Sequence, residues 1–140
     1  MRNCGYGKYS SNIKIESSYF HGLGAGAVNF GVKERDGSKV CDLLVHNVGI
    51  YHSSALGIVT SNFDVCHNEV HHTSYGGILA SGHGIFVEKN YVHHVMNVLN
   101  DGAALYTGMC KNGIFRNKSD CNFCTGCVEV EFASRQKARH

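Results

Sequence analysis

The sequence has no proline and no tryptophan in its 140 residues, and its charges nearly balance: 13 Lys and Arg against 11 Asp and Glu, a net of +2. Without proline, no strand need lose a backbone donor, so hydrogen-bonded ladders can run unbroken. A net charge this small argues against a nucleic-acid partner, which calls for a strongly basic face. No apolar run approaches the roughly 18 residues of a membrane span. Residues 1–11 are polar and glycine-rich and lack the basic start, apolar core and cleavage site of a secretory leader. Against these absences stand 17 Gly and 10 His. The glycines suit many tight corners, and most of the histidines belong to a repeated phrase.

That phrase organises the chain between Val45 and Thr107. It reads HNVGIYHSSALGIVTS, then HNEVHHTSYGGILAS, then KNYVHHVMNVLNDGAALYTG. Asn47, Asn68 and Asn90 lie 21 and 22 residues apart. Ile50, Val70 and Val92 follow them at nearly constant distance, and Ile58, Ile78 and Leu105 mark the next strand of each copy. A unit of roughly 20 to 27 residues built from short strands is the repeat length of a stacked solenoid. With coil stacked on coil, each Asn lies above the last. Asn tolerates the left-handed backbone of a sharp corner, and stacked Asn side chains hydrogen-bond along the stack. Asn47, Asn68, Asn90 and Asn117 are therefore the expected corner ladder.

Asn68-Glu69-Val70-His71-His72 and Asn90-Tyr91-Val92-His93-His94, followed by Asp101-Gly102-Ala103-Ala104-Leu105-Tyr106-Thr107-Gly108, resemble the right-handed parallel β-helix repeat family. The nearest likeness is to secreted bacterial and invertebrate proteins similar to pectate lyases and β-helix glycoside hydrolases. There an N-x-I-H phrase alternates with G-I, and a late coil carries D-x-G-x-I-Y-T. The resemblance covers roughly Asn12 to Asn117 and implies an all-β, right-handed parallel β-helix of about five coils. It also implies an extracellular polysaccharide as partner and an open groove along one sheet. A shared fold hosts unrelated activities, so chemistry must be argued from residues.

In chain order, Asn12-Ile13-Lys14-Ile15 alternates as a strand, and Ser18-Tyr19-Phe20-His21 matches the corner and following strand of later coils. Gly24 to Phe30 matches their glycine-aliphatic strand. Gly31 to Lys39 is a charge-rich insertion, either a solvated turn or a substrate-facing loop with Arg35 and Asp36 as contacts. Repeats occupy residues 1–117. Residues 118–140 form a cysteine-rich and basic segment, either an atypical coil or a disordered tail. Its C-x2-C-x2-C run of Cys121, Cys124 and Cys127, with Cys110, lacks both the fourth cysteine of a ferredoxin run and the paired units of a zinc site. Disulfides or stacked small hydrophobes are the favoured readings over a metal. No terminal cap is evident, although solenoids need one. The chain is thus expected to be a piece of a longer β-helix that can self-associate through its coil ends.

The sheet holding Val28, Ile58, Ile78 and Leu105 alternates with period two, which turns Asn29, Val59, Leu79 and Tyr106 outward toward a sugar chain. His52, His72 and His94 occupy equivalent places in the turns entering it. They form an architectural column, the favoured reading, or groove-lining groups that bind sugar and carry protons; a metal site from the column is the third choice, since ligands one coil apart are about 4.7 to 4.9 Å from each other and need inward convergence. Asp101 follows an enlarged turn, Met96 to Asn100, in the one phrase that departs from the repeat. It is either a catalytic carboxyl group or a turn cap. Glycoside hydrolysis requires two carboxyl groups, and Glu69, Asp64 and Asp36 are the candidate partners. A lyase would need a base and a neutralised uronate, and calcium would need a carboxylate cluster, which the sequence does not show. The expectation is a glycoside hydrolase before a lyase, with Asp101 catalytic, Asn29, His52, His72, His94 and Tyr106 binding substrate, and no metal or cofactor. The alternative is a β-helix that binds glycan or acts as a spacer without catalysis.

Overall fold

The computed structural model describes residues 5–8, 11–99, 102–108, 112–120 and 130–133. Among these the chain is all β, with parallel strands stacked as a solenoid of about four turns. No helix among the described residues is long and apolar enough to cross a membrane. One sheet contains β1 (Gly5–Lys8), β4 (Val28–Gly31), β7 (Ile58–Ser61), β10 (Ile78–Ser81) and β12 (Leu105–Gly108). The other contains β2 (Lys14–Glu16), β3 (Tyr19–Leu23), β5 (Lys39–Cys41), β6 (Leu44–Val48), β8 (Asp64–Cys66), β9 (Glu69–Thr73) and β11 (Phe86–His93). Beyond β11 lies β13 (Ile114–Asp120), parallel to it, and then β14 (Val130–Ala133), antiparallel to β13. The segment set apart in the sequence at residue 118 therefore begins inside β13. Where the sequence offers no cap, β14 pairs along the β13 edge from Ile114 to Asn117.

Left-handed corners fix the path of each coil. Asn12, Gly37, Asn62, Gly84 and Asn112 each stand two residues before a strand, with φ between 51° and 90°. Ser17, Asp42, His67 and Lys89 form a second set, and Gly22, Asn47, His72 and His94 a third. From Asn12 to His94 the three corners of each coil are five residues apart, as at 62, 67 and 72. Glycine, Asn, Asp and His are the residues that reach this conformation at least cost. The corner role therefore accounts for the backbone of His72 and His94 without a functional argument.

Between corners, alternate residues point inward and stack on their counterparts. Val28, Ile58, Ile78 and Leu105 share one register column, as expected from the sequence. Val40, Val65, Val87 and Phe115 form a second column, and Phe20, Val45, Val70 and Val92 a third. The glycine of the Gly-Ile phrase is a matter of space. A Cβ on Gly77 would collide with the side chain of Val92 and lie 2.9 Å from the Ala104 carbonyl oxygen.

The ladder is present but differs from expectation in two respects. Asn68, Asn90 and Asn117 are buried and stacked: the Asn68 Nδ2 donates to Asn90 Oδ1 at 2.9 Å, and Asn90 Nδ2 to Asn117 Oδ1 at 2.7 Å. Each Oδ1 also accepts the backbone N–H of the coil before it, and each Nδ2 donates to a carbonyl oxygen of Val40, Val65 or Val87. Asn47 is not a member. It is exposed and lies in register one place after His46, opposite His72, while Leu43 fills the ladder position and donates its N–H to Asn68 Oδ1 at 3.0 Å. Nor do the buried ladder residues take the left-handed conformation; the preceding residues His67 and Lys89 do. With the corner one residue earlier, the amide can turn inward. Ile50, aligned by phrase with Val70, is likewise exposed, at 55 %.

Asn90→Leu strands buried groups on both neighbouring coils, including the Asn68 N–H, the Val65 carbonyl and the Asn117 carboxamide. We expect it to cost about 1–3 kcal/mol in urea unfolding. Asn47→Gly keeps a left-handed corner and should stay within about 0.5 kcal/mol of the parent. Equal stability of both variants would contradict the ladder.

Candidate functional site

The outward positions of β3, β6, β9 and β11 build a face of rings. Parallel register places His21 beside His46, His46 beside His71 and His71 beside His93. With inward Phe20, Val45, Val70 and Val92 fixing the alternation, these histidines must point out. Their rings stack at 5.5, 4.8 and 4.7 Å between centroids, with interplanar angles of 14°, 1° and 15°. Two residues earlier on the same face stand Tyr19, Leu44, Glu69 and Tyr91 in the adjoining column. Tyr19 lies 4.6 Å from the His21 ring and Tyr91 4.4 Å from that of His93. A shorter column joins them from the corner, where the His72 and His94 rings stack at 4.9 Å.

Hydrogen bonds tie the columns together and restrict their protons. Asn47 Nδ2 donates to His46 Nδ1 at 2.8 Å, so a neutral His46 carries its proton on Nε2, which is 2.6 Å from the Tyr19 hydroxyl. His93 Nε2 donates to Glu69 Oε2 at 2.8 Å. The Nδ1 atoms of His71 and His72 are 2.7 Å apart, and those of His93 and His94 are 2.8 Å apart. Each such contact holds one proton between two nitrogens, so a second proton would turn it into a repulsion. Burial first, and then the neighbouring rings of His93, His46 and His72, push the His71 pKa down to about 4, against a small opposing pull from Glu69. Burial and the rings of His94, His93 and His46 lower that of His72 as well.

Beside the rings runs an open groove of about 750 Å³, whose walls include Tyr19, Asp42, His67, Glu69, Lys89 and Tyr91. Among the described residues, two sets of possible metal-binding side chains lie near it. Glu69, His71 and His93 bring ligand atoms within 4.8 Å of one another, and so do Cys41, Cys66 and His67. The Cys41 and Cys66 sulfurs are 3.2 Å apart. Burial and the neighbouring thiol push the Cys41 pKa up to about 12, which disfavours the thiolate a metal needs.

The residues singled out from the sequence do not meet at one place. His72 and His94 stack together in the ring face. His52 is not in their column; it is exposed in the loop after β6, and its carbonyl accepts from Ser74 Oγ at 2.8 Å. Asn29 and Tyr106 point outward from the other sheet with Val59 and Leu79, and the Tyr106 hydroxyl is 3.0 Å from that of Tyr75. Asp101 lies outside the described residues, as do Cys110, Cys121, Cys124 and Cys127. Among the candidate carboxylates, Asp36 accepts from Ser38 and from the Asn12 N–H. Asp64 holds Arg35 with a shortest contact of 2.7 Å and also accepts the Phe86 N–H. The charged insertion is thereby fastened to the next two coils, and Arg35 also stands 5.1 Å from the Phe86 ring centre. Only Glu69 of the three lines the groove. The sequence reading missed His21, His46, His71 and His93 as ring-column members. The signal was the outward place two residues after Tyr19, Leu44, Glu69 and Tyr91.

Lowered histidine pKa values give stability a definite pH dependence. Unfolded histidine titrates near its ordinary value of about 6.5, so between there and about 4 the unfolded chain binds more protons than folded His71. Stability should therefore fall as pH drops through that window and stop changing, for this group, below it. In the presence of a chelator, the urea midpoint should be lower at pH 5 than at pH 7.5, and His71→Gln should reduce the difference. A midpoint that is unchanged or higher at pH 5 would contradict the assignment.

Comparison of the chain with protein-family models, curated proteins and solved structures finds no match, so the functional argument rests on the geometry of this face and groove.

Proposed function

We infer that the solenoid binds a polysaccharide along the face formed by β3, β6, β9 and β11, as a glycan-binding module. The observation that carries this reading is the repeated ring face beside an open groove, with Tyr19 56 % exposed at one end and Tyr91 three coils on. A pyranose has an apolar C–H face and a rim of hydroxyls. The exposed Tyr19 offers a flat apolar body with a polar handle, the stacked imidazoles present their edges, and Glu69, Asp42 and Lys89 supply hydrogen-bonding partners along the groove. Because the columns repeat with the coil spacing, a chain of sugars meets the same contact more than once. The resemblance to the pectate lyase-like β-helix superfamily supports the same partner, together with a right-handed winding and an extracellular location.

The face expected from the sequence is a weaker choice. Its outward row of Asn29, Val59, Leu79 and Tyr106 contains no carboxylate, and Tyr106 is engaged with Tyr75. One observation favours a hydrolytic second reading: Asp42 and Glu69 line the same groove, and hydrolysis of a glycosidic bond uses two carboxyl groups. In that case Glu69→Gln, in folded protein, lowers turnover by a factor of roughly 10² to 10⁴. Asp101→Asn tests the catalytic role expected for that residue in the same assay.

Affinity electrophoresis against a panel of soluble polysaccharides tests the binding reading. We expect retardation by at least one glycan, a loss of about tenfold or more in affinity for Tyr19→Ala and for Tyr91→Ala, and little change for Tyr106→Ala. That loss corresponds to about 1.4 kcal/mol. A loss confined to Tyr106→Ala would move the site to the other sheet. Absence of binding to every glycan would remove the reading, and release of reducing ends that Glu69→Gln abolishes would establish hydrolysis instead.

A further inference from the structure

We propose that Glu69, His71 and His93 form a site for a divalent transition-metal ion, with Zn²⁺ as the natural occupant. This does not depend on the glycan-binding reading. The three side chains come from neighbouring coils held in register by β9 and β11, so their spacing is set by the sheet rather than by a loop. Their ligand atoms lie within 4.8 Å of one another, and Glu69 Oε2 already stands 2.8 Å from His93 Nε2. Zinc bonds of about 2.0–2.2 Å at tetrahedral angles place ligand atoms about 3.4 Å apart. The carboxylate must therefore withdraw slightly and the two imidazoles tilt toward each other.

The second nitrogen of each imidazole is the stronger argument. A metal-bound histidine is usually oriented by a hydrogen bond from its other ring nitrogen. Here His71 Nδ1 faces His72 Nδ1 at 2.7 Å, and His93 Nδ1 faces His94 Nδ1 at 2.8 Å. The corner histidines thus hold the Nδ1 side of both rings and leave Nε2 as the ligand nitrogen, which in His93 already faces Glu69. In the metal-free protein the His93 proton sits on Nε2, donated to Glu69. Binding needs that lone pair, and the protein has a place for the proton. It passes to Nδ1 of His93, which then donates to His94, while His94 carries its own proton on Nε2. The hydrogen bond between His93 and His94 reverses direction, the one from His93 to Glu69 gives way to the two bonds to the metal, and both imidazoles stay neutral. Two imidazoles and a carboxylate suit zinc and its neighbours rather than calcium or magnesium. They leave a fourth position open to water or to a ligand hydroxyl. The sequence, read by phrase, shows no such set. The three ligands come together only when Tyr91-Val92-His93 is laid in register on Glu69-Val70-His71.

The test is titration of the full chain with Co²⁺, followed by visible absorption, and with Zn²⁺ by calorimetry at neutral pH. We expect a bound ion with a visible Co²⁺ spectrum that added Zn²⁺ displaces. Glu69→Gln and His93→Ala should each weaken that component at least tenfold, while His52→Ala leaves it unchanged. Circular dichroism checks the fold of each variant. If His93→Ala does not fold, the half-exposed Glu69→Gln decides the matter. Absence of Co²⁺ and Zn²⁺ binding would overturn the proposal. So would an isotherm that Glu69→Gln leaves unchanged, or a binding component that Cys41→Ser abolishes and Glu69→Gln does not.

Discussion

Register between coils is the constraint on which everything else in this protein depends. A parallel solenoid has no long-range sheet order to fall back on: each coil is positioned by the one beside it, and slipping a strand by one residue would exchange its buried and exposed faces. Two devices prevent the slip. Buried Val, Ile and Phe columns favour one alternation, and the carboxamides of Asn68, Asn90 and Asn117 allow only one alignment, because each must meet both a neighbouring carboxamide and a specific backbone carbonyl. The hydrophobic columns are adaptable, whereas an amide misplaced in the core costs about 1–3 kcal/mol.

The exposed chemistry is a by-product of that order. Once Val45, Val70 and Val92 stack inward, the residues on either side of them must stack outward. Histidine after each valine then gives a column of imidazoles at the coil spacing. The third corner adds His72 and His94, which reach the left-handed conformation and at the same time meet the Nδ1 edges of His71 and His93. A face built this way is rigid without a rigid loop, because its side chains ride on ladder strands. Burial first, and then the closeness that orders the rings, makes protonation unfavourable, which is why His71 and His72 are held below the ordinary histidine range.

How far the sequence disclosed this can be judged from individual residues. Strand type, the parallel stack and the Val28, Ile58, Ile78 and Leu105 column were legible, because glycine-aliphatic phrases recur at a constant offset. The Asn68, Asn90 and Asn117 ladder was legible for the same reason. Asn47 was misassigned because the dipeptide His-Asn occurs at 46–47 and again at 67–68, yet the first pair is an outward residue and a corner, and the second a corner and an inward residue. Identity of words outweighed alternation, although Val45 over Val70 would have given the correct register. His52 went astray with it. Asp101 and the later cysteines lie outside the described residues. The groove could not be read from the sequence at all, since Asp42, Glu69 and Lys89 meet only after three coils have been stacked.

Proton–proton contacts between imidazole rings in solution test this register most directly. The account predicts nuclear Overhauser effects linking the ring of His46 to that of His71, and His71 to His93, since these rings stack at 4.8 and 4.7 Å. It also predicts contacts between the side-chain amides of Asn68 and Asn90. Contacts between the side-chain amides of Asn47 and Asn68, with none between His46 and His71, would contradict it.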